Sequence, residues 1–353
     1  MRKITAYISR TVFYAIALTL LVFISLDFVF GLIGQLEKVT ETYTALEAFY
    51  YMALTVPRRL YDLIPYSCLI GCLAGLGLLA STSELVIVRS AGVSVKRIAW
   101  MALRPALVFI LIALMLGEFV APYTEQMADN RRHFLRYNVS QQAPQKMWNR
   151  EGNEFMYVNA VLPNGVIYGL TRYQFDDQHQ LQSASFTKEA VYQEGGYWQE
   201  KEIAITHLDQ DSTRVETISE RRWDTPLTPN LFNILVLKPE DISMRNLHYY
   251  TNYLKEQNLK SSNYSLAFWQ KFLQPVATAS LVLIAISFVF GPLRSVTMGQ
   301  RIFTGVVFGI VFVLLQRLLG PSSLVFGFPP LIAVMIPILL CILLGIYLLN
   351  RAR

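Results

Sequence analysis

Six stretches of this 353-residue chain are apolar over roughly the 20 residues that a helix needs to cross a hydrocarbon core of about 30 Å. They run from Val12 to Leu36, Leu60 to Ala80, Ile98 to Val120, Phe272 to Phe290, Ile302 to Leu319 and Pro330 to Leu349. Backbone N–H and C=O groups in lipid can pair only within the protein, so such runs fold as spanning helices. Composition agrees, because 53% hydrophobic against 16% charged residues is too apolar for an ordinary soluble domain of this length. The chain reads as a six-span membrane protein.

The formal net charge is +6, and its placement matters more than its size. Arg2, Lys3, Arg10, Arg89, Lys96, Arg97, Arg294, Arg301, Arg351 and Arg353 collect on one side of the spans, against Lys38, Arg58, Arg59 and Arg317 on the other. The positive-inside rule then places both termini in the cytoplasm. The apolar run after "MRKITAYISR" is too long for a signal peptide, so it is expected to remain as the first span. No basic run points to nucleic acid. Cys68, Cys72 and Cys341 lie in apolar runs, where packing is the expected role.

Three spans precede a polar insertion and three follow it, giving the plan 1–121, 122–268 and 269–353. The topology puts the insertion on the side of the membrane opposite the termini. Alternating segments such as "VIYGLTRYQF", "SASFTKEAVYQ" and "EKEIAITHL", separated by turn signals at Asn164-Gly165 and Glu194-Gly195-Gly196, predict an all-β domain, read as a small sandwich. Its end, "DISMRNLHYYTNYLKEQNL", changes to helical spacing.

No phosphate-binding G-x-x-x-x-G-K-[ST], no H-E-x-x-H and no C-x-x-C occurs, and the histidines are far apart in sequence. No cofactor, metal or catalytic residue is expected, and any ATP hydrolysis that drives this chain belongs to another subunit. Within the spans Asp27 and Glu118 stand out, since intramembrane carboxylates are costly unless they face a cavity, a bundle interior or a cation. They either line a substrate path or pair with Arg317, or are solvated helix ends. Arg104 is expected to snorkel to the cytoplasmic surface. Gly71, Gly75 and Gly77 make a small-residue face for close helix packing. Beyond the spans, Lys38, Arg131, Arg132 and Arg136 form a basic group suited either to lipid headgroups or to a phosphorylated amphiphile, because arginine grips phosphate bidentately.

The stretch "STSELVIVRSAGVSVKR", residues 81–97, interrupts the apolar pattern. Ser81 and Glu84 have the spacing of a capping box, Gly92 suits a helix stop and Ser94 suits the cap of the next span. The result is a helix of about ten residues near 82–91, roughly 15 Å long and too short to span. Leu85, Val86, Ile87 and Val88 make it too apolar for a solvated loop, so it rests on lipid or docks on a cytoplasmic partner.

Together with "GEFVAPYTEQMADNRR", "FWQKFLQPVA" and "FVFGPLRSVTMGQRIFTGVVFG", the segment "SELVIVRSAG" resembles the lipopolysaccharide-export permeases of the LptF/LptG family over essentially the whole chain, with "FGPLRSVTMG" favouring the G-type branch. The resemblance implies a periplasmic β-jellyroll, an LptF-like partner permease, an LptB-like ATPase dimer below and an LptC-like bridge protein. The implied job is ATP-driven extraction of lipopolysaccharide from the outer leaflet of the bacterial inner membrane. It implies contact of Glu84 with the ATPase, supported by Leu85, Val88 and Arg89, and cationic roles near lipid for Lys38 and Arg132. Gly31 and Asp129 stand where the family carries cations, so the lipid cavity holds fewer positive charges, and Arg131 or Arg136 is expected to compensate. Two other classes stay in view. One is an envelope-lipid-modifying enzyme using residues such as His207 or Asp209, and the other an ion-driven transporter using Asp27 and Glu118.

Overall fold

The structure, a computed structural model, describes residues 2–137, 147–162, 165–193, 195–208, 212–229, 231, 238–256, 259–290 and 296–351. Among these, six helices are long and apolar enough to cross a membrane. Helix α1 covers Arg2–Leu36 and α2 covers Ala45–Ser81, followed by the short α3, Glu84–Ser90. Helix α4, Val95–Met115, continues through a π-helical turn, Leu116–Val120, into α5, Ala121–Tyr137. After the β strands come α6 (Met244–Glu256), α7 (Ser262–Phe290), α8 (Met298–Phe326) and α9 (Pro330–Arg351). The helices overrun the apolar runs. Arg58 and Arg59, counted above as flanking the spans, lie inside α2, because a nucleated helix gains a hydrogen bond for every residue added and does not stop where the membrane does.

The chain divides into two compact units, one of Met1–Asp129, Ser243–Leu247 and Ser262–Arg353, the other of Asn130–Ile242 and His248–Ser261. In the helical unit α2 is the central element: Ile64, Leu69, Leu73 and Leu76 are fully buried, joined in one core by Ile98 and Ala102 of α4 and Leu281 and Ala285 of α7. Gly71 and Gly75 of the small-residue face pack as expected. A Cβ on Gly71 would meet Ile16 Cα at 2.5 Å, and one on Gly75 would meet Val12 Cα at 3.0 Å, so α1 lies on α2 nearly backbone to backbone. Lipid tails are as apolar as leucine, so this contact area and interhelical hydrogen bonds hold the helices together. Such bonds run from Ser9 Oγ to the Met101 carbonyl (2.7 Å), Gln274 Nε2 to the Tyr61 carbonyl (3.0 Å) and Ser287 Oγ to the Gly345 carbonyl (2.7 Å). The three cysteines are buried and free.

The inserted unit is β structure, as expected. Its described strands are β1 Met147–Glu151, β2 Glu154–Leu162, β3 Val166–Phe175, β4 Leu181–Tyr192, β5 Trp198–Leu208 and β6 Thr213–Trp223. They form one antiparallel sheet in sequence order, an up-and-down arrangement within a single sheet. Gly165 and Gly196 take the positive φ (77° and 80°) that the turns require, while Asn164 and Glu194 lie outside the described residues.

The pairing skips Asn159, Gly169, Lys188, Glu202 and Ser219, a line crossing the sheet from β2 to β6. Gly169 and Glu202 on that line have φ of +66° and +51°. A left-handed residue rotates the strand, so the buried parity changes there: Trp198 and Glu200 are buried before Glu202, Ile203 and Ile205 after it. Inside the sheet Glu200 accepts hydrogen bonds from Arg172 (3.0 Å), Arg221 (2.8 Å) and Thr187 (2.9 Å), and Trp198 donates to the Leu227 carbonyl at 2.6 Å. Glu151 accepts from Thr225 at 2.8 Å, and burial pushes its carboxyl up from the usual range.

Candidate functional site

Two regions of the helical unit gather the residues singled out above. The first is the short helix between the second and third spans. The expected capping box is not formed. Helix α2 runs through Ser81, whose hydroxyl turns back to the Leu78 carbonyl at 2.8 Å, and the cap position is Ser83, with φ +61° and no side-chain cap bond. Extending α2 leaves two residues, Thr82 and Ser83, for the reversal, and Ser83 takes the left-handed region at a cost of about 1–2 kcal/mol. Helix α3 therefore has seven residues, and Glu84 opens it. A capping box does exist elsewhere, between Thr297 and Gln300 at the start of α8. The stop is as expected: Ala91 caps α3 and Gly92 follows at φ +82°. Ser94 holds the cap position of α4, without a side-chain bond.

The Glu84 carboxylate accepts from Thr82 Oγ1 at 2.9 Å, and the Tyr7 hydroxyl of α1 lies close enough to interact with it. Leu85 is buried in the bundle core and Val88 packs against that core, so these two anchor the helix. Val86 and Ile87 instead face outward, 50% and 64% exposed, with Arg89 half-buried in the last turn. Beneath, Arg301 at the start of α8 is buried and donates to the Gly77 carbonyl near the end of α2, a cation where the helix dipole is negative. Counting charges at span ends does not foretell that burial.

The second region lies toward the other ends of the spans. Asp27 on α1 is ion-paired with Arg59 on α2, whose guanidinium also donates to Thr55 Oγ1 (3.1 Å) and approaches Met52 Sδ (3.5 Å). Gly31, one turn beyond Asp27, faces the same group: a Cβ there would lie 3.0 and 3.2 Å from the two terminal nitrogens of Arg59. Tyr51, Met52 and Ala128 form a buried cluster with Phe28, Leu32 and Leu54, and Tyr51 donates to Asp129 at 3.2 Å. Gly31 and Asp129 thus border one cluster, and Arg59 brings a cation to it. The signal for Arg59 was available in the hairpin register, since Gly71 with Ile16, Gly75 with Val12 and Arg59 with Asp27 are pairs whose numbers add to nearly the same value.

Glu118, in the π-helical turn, caps α6, accepting from the backbone N–H of Met244 (2.7 Å) and Arg245 (3.2 Å). Asp27 and Glu118 are therefore engaged by Arg59 and by backbone, while Arg317 is exposed on α8. Lys38 is exposed in the turn after α1. Arg131, exposed, and Arg132, half-buried, lie on α5 in the other unit, and the side chain of Arg136 lies outside the described residues. His207 meets Glu216 at 3.3 Å on the sheet, and Asp209 lies outside the described residues. Among the described residues no group of histidine, cysteine and carboxylate side chains is placed to hold a metal.

Residues 6–351 match the family described as lipopolysaccharide export system permease LptF/LptG. The lipopolysaccharide export system permease protein LptG of Escherichia coli K12 is 36% identical over 350 residues, covering 98% of this chain and 97% of that protein. The protein of the same name from Haemophilus influenzae is 33% identical, covering 98% of each.

Proposed function

This chain belongs to the lipopolysaccharide export permease family LptF/LptG, a multi-pass inner-membrane family, and on that premise we propose how it is driven and what its parts do. As in relatives named for lipopolysaccharide export, its substrate is a phosphorylated, many-chained amphiphile held against apolar helices. It works as the non-catalytic half of an ATP-driven machine: an LptB-like ATPase dimer supplies force from the cytoplasm, an LptF-like permease completes the membrane part, and an LptC-like protein receives the lipid. The termini and α3 face the cytoplasm, and the β unit faces the periplasm, in keeping with the distribution of basic residues.

The single observation that carries this reading is α3. A chain without a phosphate-binding loop needs a surface through which force enters, and α3 offers exposed Val86 and Ile87 beside a carboxylate, while Leu85 and Val88 fix it to the bundle. Movement of α3 reaches α1 through the interaction of Glu84 with the Tyr7 hydroxyl and α2 through the two-residue reversal at Thr82 and Ser83. At the far ends of α1 and α2, the Asp27–Arg59 pair and the cluster around Met52 form the wall that such movement reshapes against the lipid. The test is Glu84→Ala in the reconstituted transporter. ATPase association and lipopolysaccharide release both fall if α3 is the coupling element; unchanged values in both measurements refute it.

A further inference from the structure

A groove of about 750 Å³ opens between α1 and α4 at the end of the bundle that holds the amino terminus, lined by Thr5, Ser9, Arg10, Phe13, Arg104 and Val108 among others. A smaller cavity of about 220 Å³ shares Thr5 and Arg104 and adds Arg97 and Trp100. The walls are fixed to each other. Ser9 Oγ donates to the Met101 carbonyl at 2.7 Å, and the rings of Phe13 and Phe109 meet at 5.2 Å.

The charge of this groove is one-sided. Among the described residues, three guanidinium groups line the two cavities, and no carboxylate does. Arg97 sits near the helix start, where a cation is expected. Arg104 does not: it lies nine residues into the apolar α4 (Val95–Met115), about 14 Å along its axis at 1.5 Å per residue. Arginine at such depth costs several kcal/mol unless it snorkels to the surface or an anion or water meets it. Below the cations the surface turns apolar and open to lipid, with Tyr14, Leu18, Leu107, Val108 and Leu111 exposed along α1 and α4. Cations at the mouth and an apolar trough beneath match an amphiphile whose anionic head sits above its chains.

We propose that the α1/α4 groove binds an anionic glycerophospholipid of the leaflet on the amino-terminal side, its phosphate between Arg10 and Arg104. The export substrate is not the occupant. Arg10 and Asp27 lie on one helix 17 residues apart, roughly 26 Å along its axis, so the groove and the Asp27–Arg59 cluster belong to opposite leaflets. Trp100, half exposed, marks the interfacial level of the headgroup.

The experiment is native mass spectrometry of the intact permease complex, released from nanodiscs of phosphatidylcholine with or without phosphatidylglycerol. Wild type carries a phosphatidylglycerol adduct. Arg10→Gln with Arg104→Gln reduces that adduct at least about tenfold, the effect of losing roughly 1.4 kcal/mol of binding. Arg351→Gln, which removes a cation outside the groove, leaves it unchanged, and the double lysine variant retains most of it. Melting temperatures in lipid-free detergent separate loss of binding from loss of fold, and the lysine variant keeps the test open if the glutamine variant unfolds. An adduct that survives in the glutamine variant, equal retention of phosphatidylcholine, displacement by inorganic phosphate, or a lipopolysaccharide adduct that depends on Arg10 and Arg104 would each overturn the proposal.

Discussion

The contact between Gly31 and Arg59 invites a substitution with a calculable outcome. Gly31→Lys adds a Cβ 2.5 Å from Met52 Cε and 3.0 and 3.2 Å from the Arg59 guanidinium nitrogens. Met52 is fully buried, so its methyl group cannot swing into open space, and overfilling a packed site costs about 1–3 kcal/mol. A second cation then shares the one carboxylate of Asp27, which adds to the penalty. Arg59→Ala alone strips Asp27 of its partner in an apolar setting and is also destabilising. Together the two changes are compensatory, because the space and the carboxylate vacated by Arg59 become those of the lysine. A double-mutant cycle, read by denaturant unfolding in micelles, should show a favourable coupling of about 1–3 kcal/mol. Additivity within about 0.5 kcal/mol would mean that Arg59 and residue 31 do not share this site. Lipopolysaccharide co-purifying with the double variant at wild-type level would show that a cation here can come from either helix.

Gly71→Leu forces side-chain atoms into the backbone of Ile16 and should part α1 from α2, costing about 3 kcal/mol or more, whereas Gly75→Ala, with 3.0 Å to Val12 Cα, should cost less; thermal melting in detergent ranks them. Glu200→Ala leaves Arg172 and Arg221 facing a fully buried gap, a loss of about 3–5 kcal/mol that hydrogen exchange should register as deprotection of β3, β4 and β5. Replacing Arg172, Glu200 and Arg221 together by apolar residues should recover much of it, and failure to do so would assign the network a role beyond charge balance. Tyr7→Phe removes the hydroxyl that interacts with Glu84 and none of the exposed surface of α3, so amide exchange in Glu84–Ser90 should quicken while ATPase association persists.

What could be read along the chain was whatever depends on near neighbours. Spanning helices announce themselves by length and polarity, and Gly71 and Gly75 by a spacing that holds on any helix. The place of α3 was legible for the same reason, since Gly92 can only end it. Its start was not, because Ser81 has two possible partners and the longer helix wins. In the β unit, alternation located the strands, but the parity switch at Glu202 was hidden: a glutamate at φ +51° carries no sequence mark, whereas Gly169 on the same line does.

The tertiary structure decided everything that depends on which elements are neighbours and at what level. Leu85 and Val86 are alike in sequence, yet the bundle takes one and leaves the other exposed. Arg59 and Arg301 both look like span-end cations; one pairs with Asp27 beside Gly31, and the other is buried against the Gly77 carbonyl. Glu118 looked like a group for lipid or for Arg317, and it caps a helix more than a hundred residues away in sequence. Hydrophobicity is a sum over local residues and survives any arrangement of the helices, so the sequence determines the spans and the β insertion. A charge's partner is set by distances of a few ångströms between remote segments, and only the packed hairpin of α1 and α2, the seat of α3 and the entry of α6 supply them.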